Sequence, residues 1–185
     1  MMLFKKLFLR NIRSYAELEV EFPKGSILLA GDIGSGKTSI LLGLQFALFG
    51  LQPGQKGSSI LRQGEDSAYA KLVFEVDGEE FILERSIKRS KSGSISQDSN
   101  NLVVNGSLLE LSTSELKERV IQILNYPGEF AKKSNLLYKF TVYTPQEGMK
   151  EIVTERPEVR LDTLRHIFGI DRYRRIKENA TIFCS

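Results

Sequence analysis

Eight consecutive residues, Gly31-Asp-Ile-Gly34-Ser35-Gly36-Lys37-Thr38, have the types and the spacing to hold a chain of phosphates. They satisfy G-x-x-x-x-G-K-[ST], in which glycines let the backbone curl until successive N–H groups face one anion-binding concavity. A helix starting behind the loop adds the partial positive charge of its N-terminus. In that geometry Lys37 reaches the β- and γ-phosphates, and the Thr38 hydroxyl ligates Mg²⁺. A glycine-rich loop can also be a plain turn, so the flanks decide. Before it stands Ser26-Ile-Leu-Leu-Ala30, a continuous apolar run of the kind that forms a strand buried on both faces of an α/β sheet. After it, residues 38–49 carry Leu, Ile and Phe on nearly every side, which predicts a buried helix. Strand, loop and helix together predict nucleotide binding.

Other elements must position that loop. Leu18, Val20 and Phe22 alternate with Glu17, Glu19 and Glu21, the period of a strand with one wet face. Leu3 to Ile12 is a second β-like run, and Asn11-Ile-Arg13-Ser-Tyr15 makes the turn of an opening hairpin. Residues 50–57, GLQPGQKG, read as a loop. The stretch 70–76 alternates, Asp77-Gly78 supplies a tight turn, and 80–87 returns as a second hairpin. Leu72 to Asp77 mimics the apolar run and Asp of a Walker B strand, but an Asp directly before Gly belongs to the turn. Lys88-Arg89-Ser90-Lys91 and the Ser-, Gly-, Gln- and Asn-rich residues up to Asn101 predict an exposed mobile loop. Its basic cluster suits DNA phosphates, or simply a solvated tip. Ser112-Thr-Ser-Glu115 is a capping box opening a helix with Leu116, Val120, Ile123 and Leu124 on one face, ended by Pro127-Gly128.

Composition narrows the class. The 185 residues carry 26 Lys+Arg against 23 Asp+Glu and are 41% hydrophobic, as in an ordinary soluble globular protein. A net charge of +3 neither demands nor opposes a nucleic-acid partner. The lone Cys184 excludes an internal disulfide framework and any Cys-based zinc site within the chain. No apolar run is long enough for a membrane span, and the charged N-terminus is no signal peptide, so a cytoplasmic protein is expected. His166, the only histidine, has no acidic or Cys partner near it in sequence and reads as a helix-surface residue.

Residues 135–143 lead into Thr144-Pro145-Gln146-Glu147. A strand ending in a Gln-containing loop is where many ATPases of the ABC type place a γ-phosphate sensor; the phosphate loop upstream is what lends Gln146 weight. An amphipathic helix runs from Glu158 to Phe168, and Gly169-Ile-Asp171 marks a stop and a restart. Tyr173, Ile176, Ala180 and Phe183 then recur at coiled-coil a/d spacing, which an ordinary amphipathic helix shares. Apart from the rejected stretch ending at Asp77, no apolar strand ends in Asp-Glu, and nothing resembles a Leu-Ser-Gly-Gly-Gln signature. Hydrolysis at a phosphate loop needs a residue that activates water and further groups on Mg²⁺. The chain therefore reads as half of an active site.

The strand pair broken by Asn11-Ile-Arg13-Ser-Tyr15, the phosphate loop at residue 31, the β-rich arm, the Gln loop and the final heptad-like helix closely resemble one known lobe. It is the N-terminal lobe of the SbcC/Rad-fifty ATPases, SMC-like proteins of DNA double-strand-break repair. The likeness covers nearly the whole chain, and residues 157–173 are similar to that family's approach to its coiled coil. The resemblance implies an α/β, ABC-ATPase-like P-loop NTPase lobe over 1–170 with an antiparallel β arm, and the start of a truncated coiled-coil helix over 171–185. It implies that Arg13 lies against nucleotide phosphates that Ile33, Gly34, Ser35, Gly36, Lys37, Thr38 and Ser39 wrap. It places Leu61, Arg62 and Gln63 beside the adenine, and has Gln146 complete the Mg²⁺ and water site, with Lys37 and Gln146 the catalytic pair.

The implied cofactors are ATP and Mg²⁺, with no zinc site in this chain. The implied partners are the C-terminal lobe of the same ATPase, a second head, the family's repair nuclease and double-stranded DNA, with Lys88, Arg89 and Lys91 as DNA candidates and no membrane. Two departures stand out: Ile33 replaces the usual Asn, and Pro145 stiffens the approach to Gln146. The same motifs fit an SMC or RecF-like DNA clamp. A self-sufficient P-loop kinase would need a base that is missing, and the Asn-Ile-Arg-Ser start argues against an ABC transporter.

Overall fold

β1 (Met2–Ile12) and β2 (Tyr15–Glu21) pair antiparallel as the opening hairpin that the alternation predicts. β3 (Ser67–Val76) and β4 (Glu79–Arg89) form the second hairpin. Its turn residues Asp77 and Gly78 have φ of 50° and 91°, the double positive φ of the turn that matches strand twist. β5 (Ile95–Val104) and β6 (Ser107–Glu110) repeat the device with Asn105 and Gly106 at 49° and 79°. The six strands form one antiparallel sheet in the order β2-β1-β3-β4-β5-β6.

The computed structural model describes residues 2–52 and 54–125, together with Thr154, 156–158, Leu161, Arg165, Tyr173, Ile176, Ala180 and Thr181. The strand expected over 135–143, Pro127-Gly128, Gln146, His166, Phe183 and Cys184 lie outside these residues. The chain divides into two compact units, Met1–Ala131 and Lys132–Ser185. The expected boundary at 170/171 falls inside the second, where Leu161, Arg165, Tyr173, Ile176 and Ala180 are helical and Tyr173 and Ile176 are exposed. Among the described residues no helix is long and apolar enough to cross a membrane.

Period-2 alternation sends Leu7, Leu9, Ala70, Leu72, Phe74, Leu83 and Ile87 to one face, all of them fully buried. Helix α1 (Lys37–Phe49) covers that face against β1, β3 and β4, burying Ile40, Leu44 and 46–49. Gly43 is the point of closest approach. A Cβ there would lie 2.6 Å from Leu9 Cδ1, so the helix reaches the sheet only because the residue is glycine.

Arg85 takes an inward position between Leu83 and Ile87 and is fully buried. Its Nε donates to Ala47 O (2.8 Å), its Nη2 to Leu48 O (3.0 Å) and its Nη1 to Asn100 Oδ1 (3.0 Å). Burial lowers its pKa to about 9, which leaves it cationic at neutral pH. The guanidinium thus serves the C-terminal carbonyls of α1, where a helix carries partial negative charge. Helix α2 (Thr113–Ile123) opens on the predicted capping box: Ser112 Oγ accepts from Glu115 N–H, and the Glu115 carboxylate accepts from Ser112 N–H at 2.8 Å. Leu116 and Val120 are buried as predicted, and Ile121 joins them while Ile123 and Leu124 remain half-buried.

Two expectations are corrected. Residues 26–30 are not a strand: none of the described strands pairs with them, and Ile27 and Leu28 are 45% and 88% exposed. The apolar run has the composition of a central strand, but a strand forms only where a neighbour receives its N–H and C=O groups. The stretch 88–101 is not one mobile loop. Lys88 and Arg89 end β4, residues 90–94 turn, and β5 begins at Ile95. Backbone pairing with β4 overrides the polar composition, which only removes the apolar signal.

Candidate functional site

The turn at residues 12–15 and the loop 31–36 meet at the N-terminus of α1. Gly36 is the N-cap, at φ 94°, and no side chain caps the helix. Gly34 has φ 86°, and a Cβ there would meet nothing, so the loop has open space on that side. Lys37 folds its ammonium over the loop, donating to Gly31 O and Asp32 O at 2.7 Å each and to Ser35 Oγ at 3.1 Å. A cleft of about 420 Å³ opens here, bordered by Gly34, Gly36, Lys37, Thr38 and Ser39 on one side and Arg13 and Ser14 on the other. The sequence read Arg13 as a plain turn residue; only the family resemblance pointed it at phosphates.

Arg13 has the positive φ of 50° that L-residues rarely adopt, and the chain around it is held from outside. Its N–H donates to Ile60 O (2.8 Å) and its Nε to Ser59 O (2.9 Å), while Arg62 donates from its backbone to Asn11 O (2.9 Å) and from its guanidinium to Ser14 O. One of five guanidinium N–H donors of Arg13 is thereby committed to the backbone, and the residue still borders the cleft. The segment at 57–62 therefore braces the turn. Within it Leu61 is a core residue bridged to Ile12 and Arg62 is half-buried, while Gln63 just beyond it is exposed. Ile33 projects fully into solvent at the loop tip.

The structure brings Arg13, Gly34, Gly36, Lys37, Thr38 and Ser39 together. Ile33, Ser35 and residues 61–63 do not border the cleft, and Gln146 lies outside the described residues. Ser14, which also borders the cleft, was missed by residue reasoning, although it stands in the turn that reasoning marked.

These residues fit a polyphosphate and its metal. An uncapped helix N-terminus, a loop turned by three positive-φ glycines and two flanking cations match a dense negative charge. Thr38, exposed on the first turn of α1, is the hydroxyl that would hold Mg²⁺. No group of three or more His, Cys, Asp or Glu that could hold a metal occurs among the described residues.

Lys88 borders a separate cleft of about 450 Å³ on the sheet face turned away from α1, with Arg10, Tyr69 and Ser86. Arg89 is engaged by Asp66 at 3.3 Å.

Comparison with known proteins agrees with this geometry. The AAA domain family matches residues 6–181. The DNA double-strand break repair Rad50 ATPase of Methanocaldococcus jannaschii is 26% identical over 172 residues, 93% of this chain and 16% of the relative. That of Methanococcus maripaludis is 26% identical over 182 residues, 98% of this chain and 17% of the relative. The chain thus spans about a sixth of the length of these curated relatives. A structure solved in work on ATP-driven dimerisation and DNA-stimulated activation of SMC ATPases superposes with a TM-score of 0.61 at 18% identity, covering 87% of this chain and 98% of that one. The recombination mediator protein RecF superposes with a TM-score of 0.51 at 21% identity, covering 93% and 54%. At those identities the structures establish the P-loop NTPase fold of ATPase heads. The chain belongs to the AAA domain family, and its likeness within that family is to the Rad50 DNA double-strand break repair ATPases.

Proposed function

We propose that this chain is the ATP-binding lobe of a cytoplasmic, DNA-associated repair ATPase whose catalytic site is completed by other polypeptide. The observation that carries the reading is the cleft itself: Lys37 and Thr38 on the first turn of α1 face Arg13 across a space sized for phosphates. Lys37 exchanges its loop acceptors for β- and γ-phosphate oxygens. Thr38 offers its hydroxyl to Mg²⁺, and Arg13 adds a second cation. Gln146 positions water, and the C-terminal lobe of the same ATPase supplies the base. The exposed run 26–30 is consistent with this division, since its apolar side chains, paired with none of the described strands, suit a strand completed by that lobe. A second head closes over the nucleotide. ATP then favours the joined pair through its higher affinity for that state.

Similarity to Rad50 ATPases over more than nine-tenths of the chain favours repair, with a partner nuclease on DNA ends, over an SMC or RecF-like clamp. Exposed Tyr173 and Ile176 on helix suit the beginning of a coiled coil. The test is steady-state ATP turnover by this chain with Mg²⁺, alone and with the C-terminal lobe added. Binding without turnover alone, and turnover on addition, are expected. Robust turnover alone that vanishes in Lys37→Ala would place a base in these residues and end the composite reading.

The DNA contact has its own test. Replacing Lys88, Arg89 and Lys91 by Ala is expected to lower DNA affinity and flatten the log–log salt dependence by about 2, at roughly 0.9 per phosphate contact. Two rather than three contacts are lost because Arg89 is held by Asp66. An unchanged slope removes these residues from the DNA surface.

A further inference from the structure

The phosphate loop touches the sheet at one aromatic residue that has no role in the reading so far. Tyr15, the first residue of β2, places its ring beside Gly36, and its hydroxyl donates to Ser35 O at 3.3 Å. A Cβ on Gly36 would lie 2.4 Å from the Tyr15 hydroxyl oxygen and 2.7 Å from Cζ. Glycine at this position is therefore required by the tyrosine as well as by its φ of 94°.

We propose that Tyr15 is a positioning residue that sets which way the Ser35–Gly36 peptide faces. A trans peptide is planar, so its C=O and N–H point to opposite sides. With the Ser35 carbonyl held toward Tyr15, the Gly36 N–H is directed away from the ring, toward the cleft that Gly36 borders. Rotating this plane changes Ser35 ψ and Gly36 φ, and a glycine accepts φ of either sign at little steric cost. Rotated by half a turn, it would present a carbonyl oxygen to an incoming phosphate instead of a donor. Tyr15 selects the donor orientation.

Its base is rigid enough for the task. Tyr15 pairs with Ile12 in the hairpin, and Arg62 grips the adjacent Ser14 carbonyl. On its other flank the loop follows residues 26–30, which belong to no described strand. The hairpin is thus the part of the sheet that grips the loop.

The proposal rests on the phosphate-site reading, and pyrophosphate separates the two. Affinities for pyrophosphate, ATP and adenosine are measured on this chain and on Tyr15→Phe, which keeps the ring and loses only the donor. The Gly36 amide is followed by ¹H–¹⁵N NMR, with urea midpoints alongside. Wild type is expected to bind pyrophosphate with a downfield shift of the Gly36 amide proton. In Tyr15→Phe pyrophosphate and ATP affinity should fall about three- to tenfold, the size of one lost hydrogen bond. The Gly36 shift should shrink, while adenosine affinity and the urea midpoint hold. Equal pyrophosphate affinity with an equal Gly36 shift overturns the role of Tyr15, as does a loss that only tracks a lowered urea midpoint. Absence of pyrophosphate binding in wild type overturns the phosphate site and this proposal together.

Discussion

Lys37→Ala is expected to weaken ATP binding by a factor of about 10² to 10⁴ while leaving the fold in place. The ammonium is the one full positive charge on the loop, beside a helix terminus worth about half a charge. It makes three contacts in its own loop, to Gly31 O, Asp32 O and Ser35 Oγ, so it is already centred where oxygens converge. Exchanging those acceptors for phosphate oxygens yields charge-assisted bonds of about 1.5–3 kcal/mol each. Losing two of them gives the stated range in Kd. The same contacts are exposed, so their loss should cost the fold less than about 1 kcal/mol.

A fluorescent ATP analogue titrated against wild type and variant, with urea curves alongside, decides the matter. Unchanged affinity would remove the phosphate-loop claim. Thr38→Ala serves as a companion: it should retain metal-free binding and lose the part of affinity that Mg²⁺ contributes, because the hydroxyl is offered to the metal.

What was legible in the sequence was local chemistry. The phosphate loop, the Asp77-Gly78 turn and the Ser112–Glu115 capping box each declare themselves within four to eight residues, and each is in place. The failures are all non-local. The run 26–30 states what a segment requires, a two-sided burial, without stating whether the strands that provide it are at hand. β5 was hidden because Ser, Gln, Asp and Asn fill most of its positions, although Asn105-Gly106 right behind it is a strong hairpin signal that alone could have revealed it. Contacts such as Tyr15 to Ser35 join residues twenty apart across a sheet edge, and no spacing rule reports them. For the same reason Ser14 entered the cleft unannounced, while Arg13 was recognised through family likeness rather than through its own pattern.

Arg85 is the clearest case of a residue that pattern reading conceals, and it carries the second large prediction. In the alternation Phe81, Leu83, Arg85, Ile87 a cation stands where a hydrophobe is expected, which suggests solvent; instead it is fully buried. The reason lies on another element. The C-terminus of α1 ends over β4 with carbonyls that no further helical turn can satisfy, and Arg85 supplies donors to two of them and to Asn100.

Arg85→Met keeps much of the volume and removes every donor, leaving Ala47 O, Leu48 O and Asn100 Oδ1 without this partner. At about 1–3 kcal/mol for each buried acceptor left unmet, partly relieved by relaxation, the expected loss is about 3–5 kcal/mol. Urea unfolding at constant m reads it directly. Arg85→Lys should fall between, since one ammonium cannot span three acceptors set in a fork. Adding Asn100→Leu to Arg85→Met should recover part of the loss by removing one orphan, a coupling that independent sites would not show. A loss under 1 kcal/mol in Arg85→Met would mean that water or a shifted side chain meets those carbonyls, and the clamp between the β arm and the nucleotide helix would not exist. If the clamp holds, α1 is fixed to the sheet near the end farthest from Lys37, about 16 Å away at 1.5 Å per residue. The phosphate end is then left to be set by the hairpin contact at Tyr15.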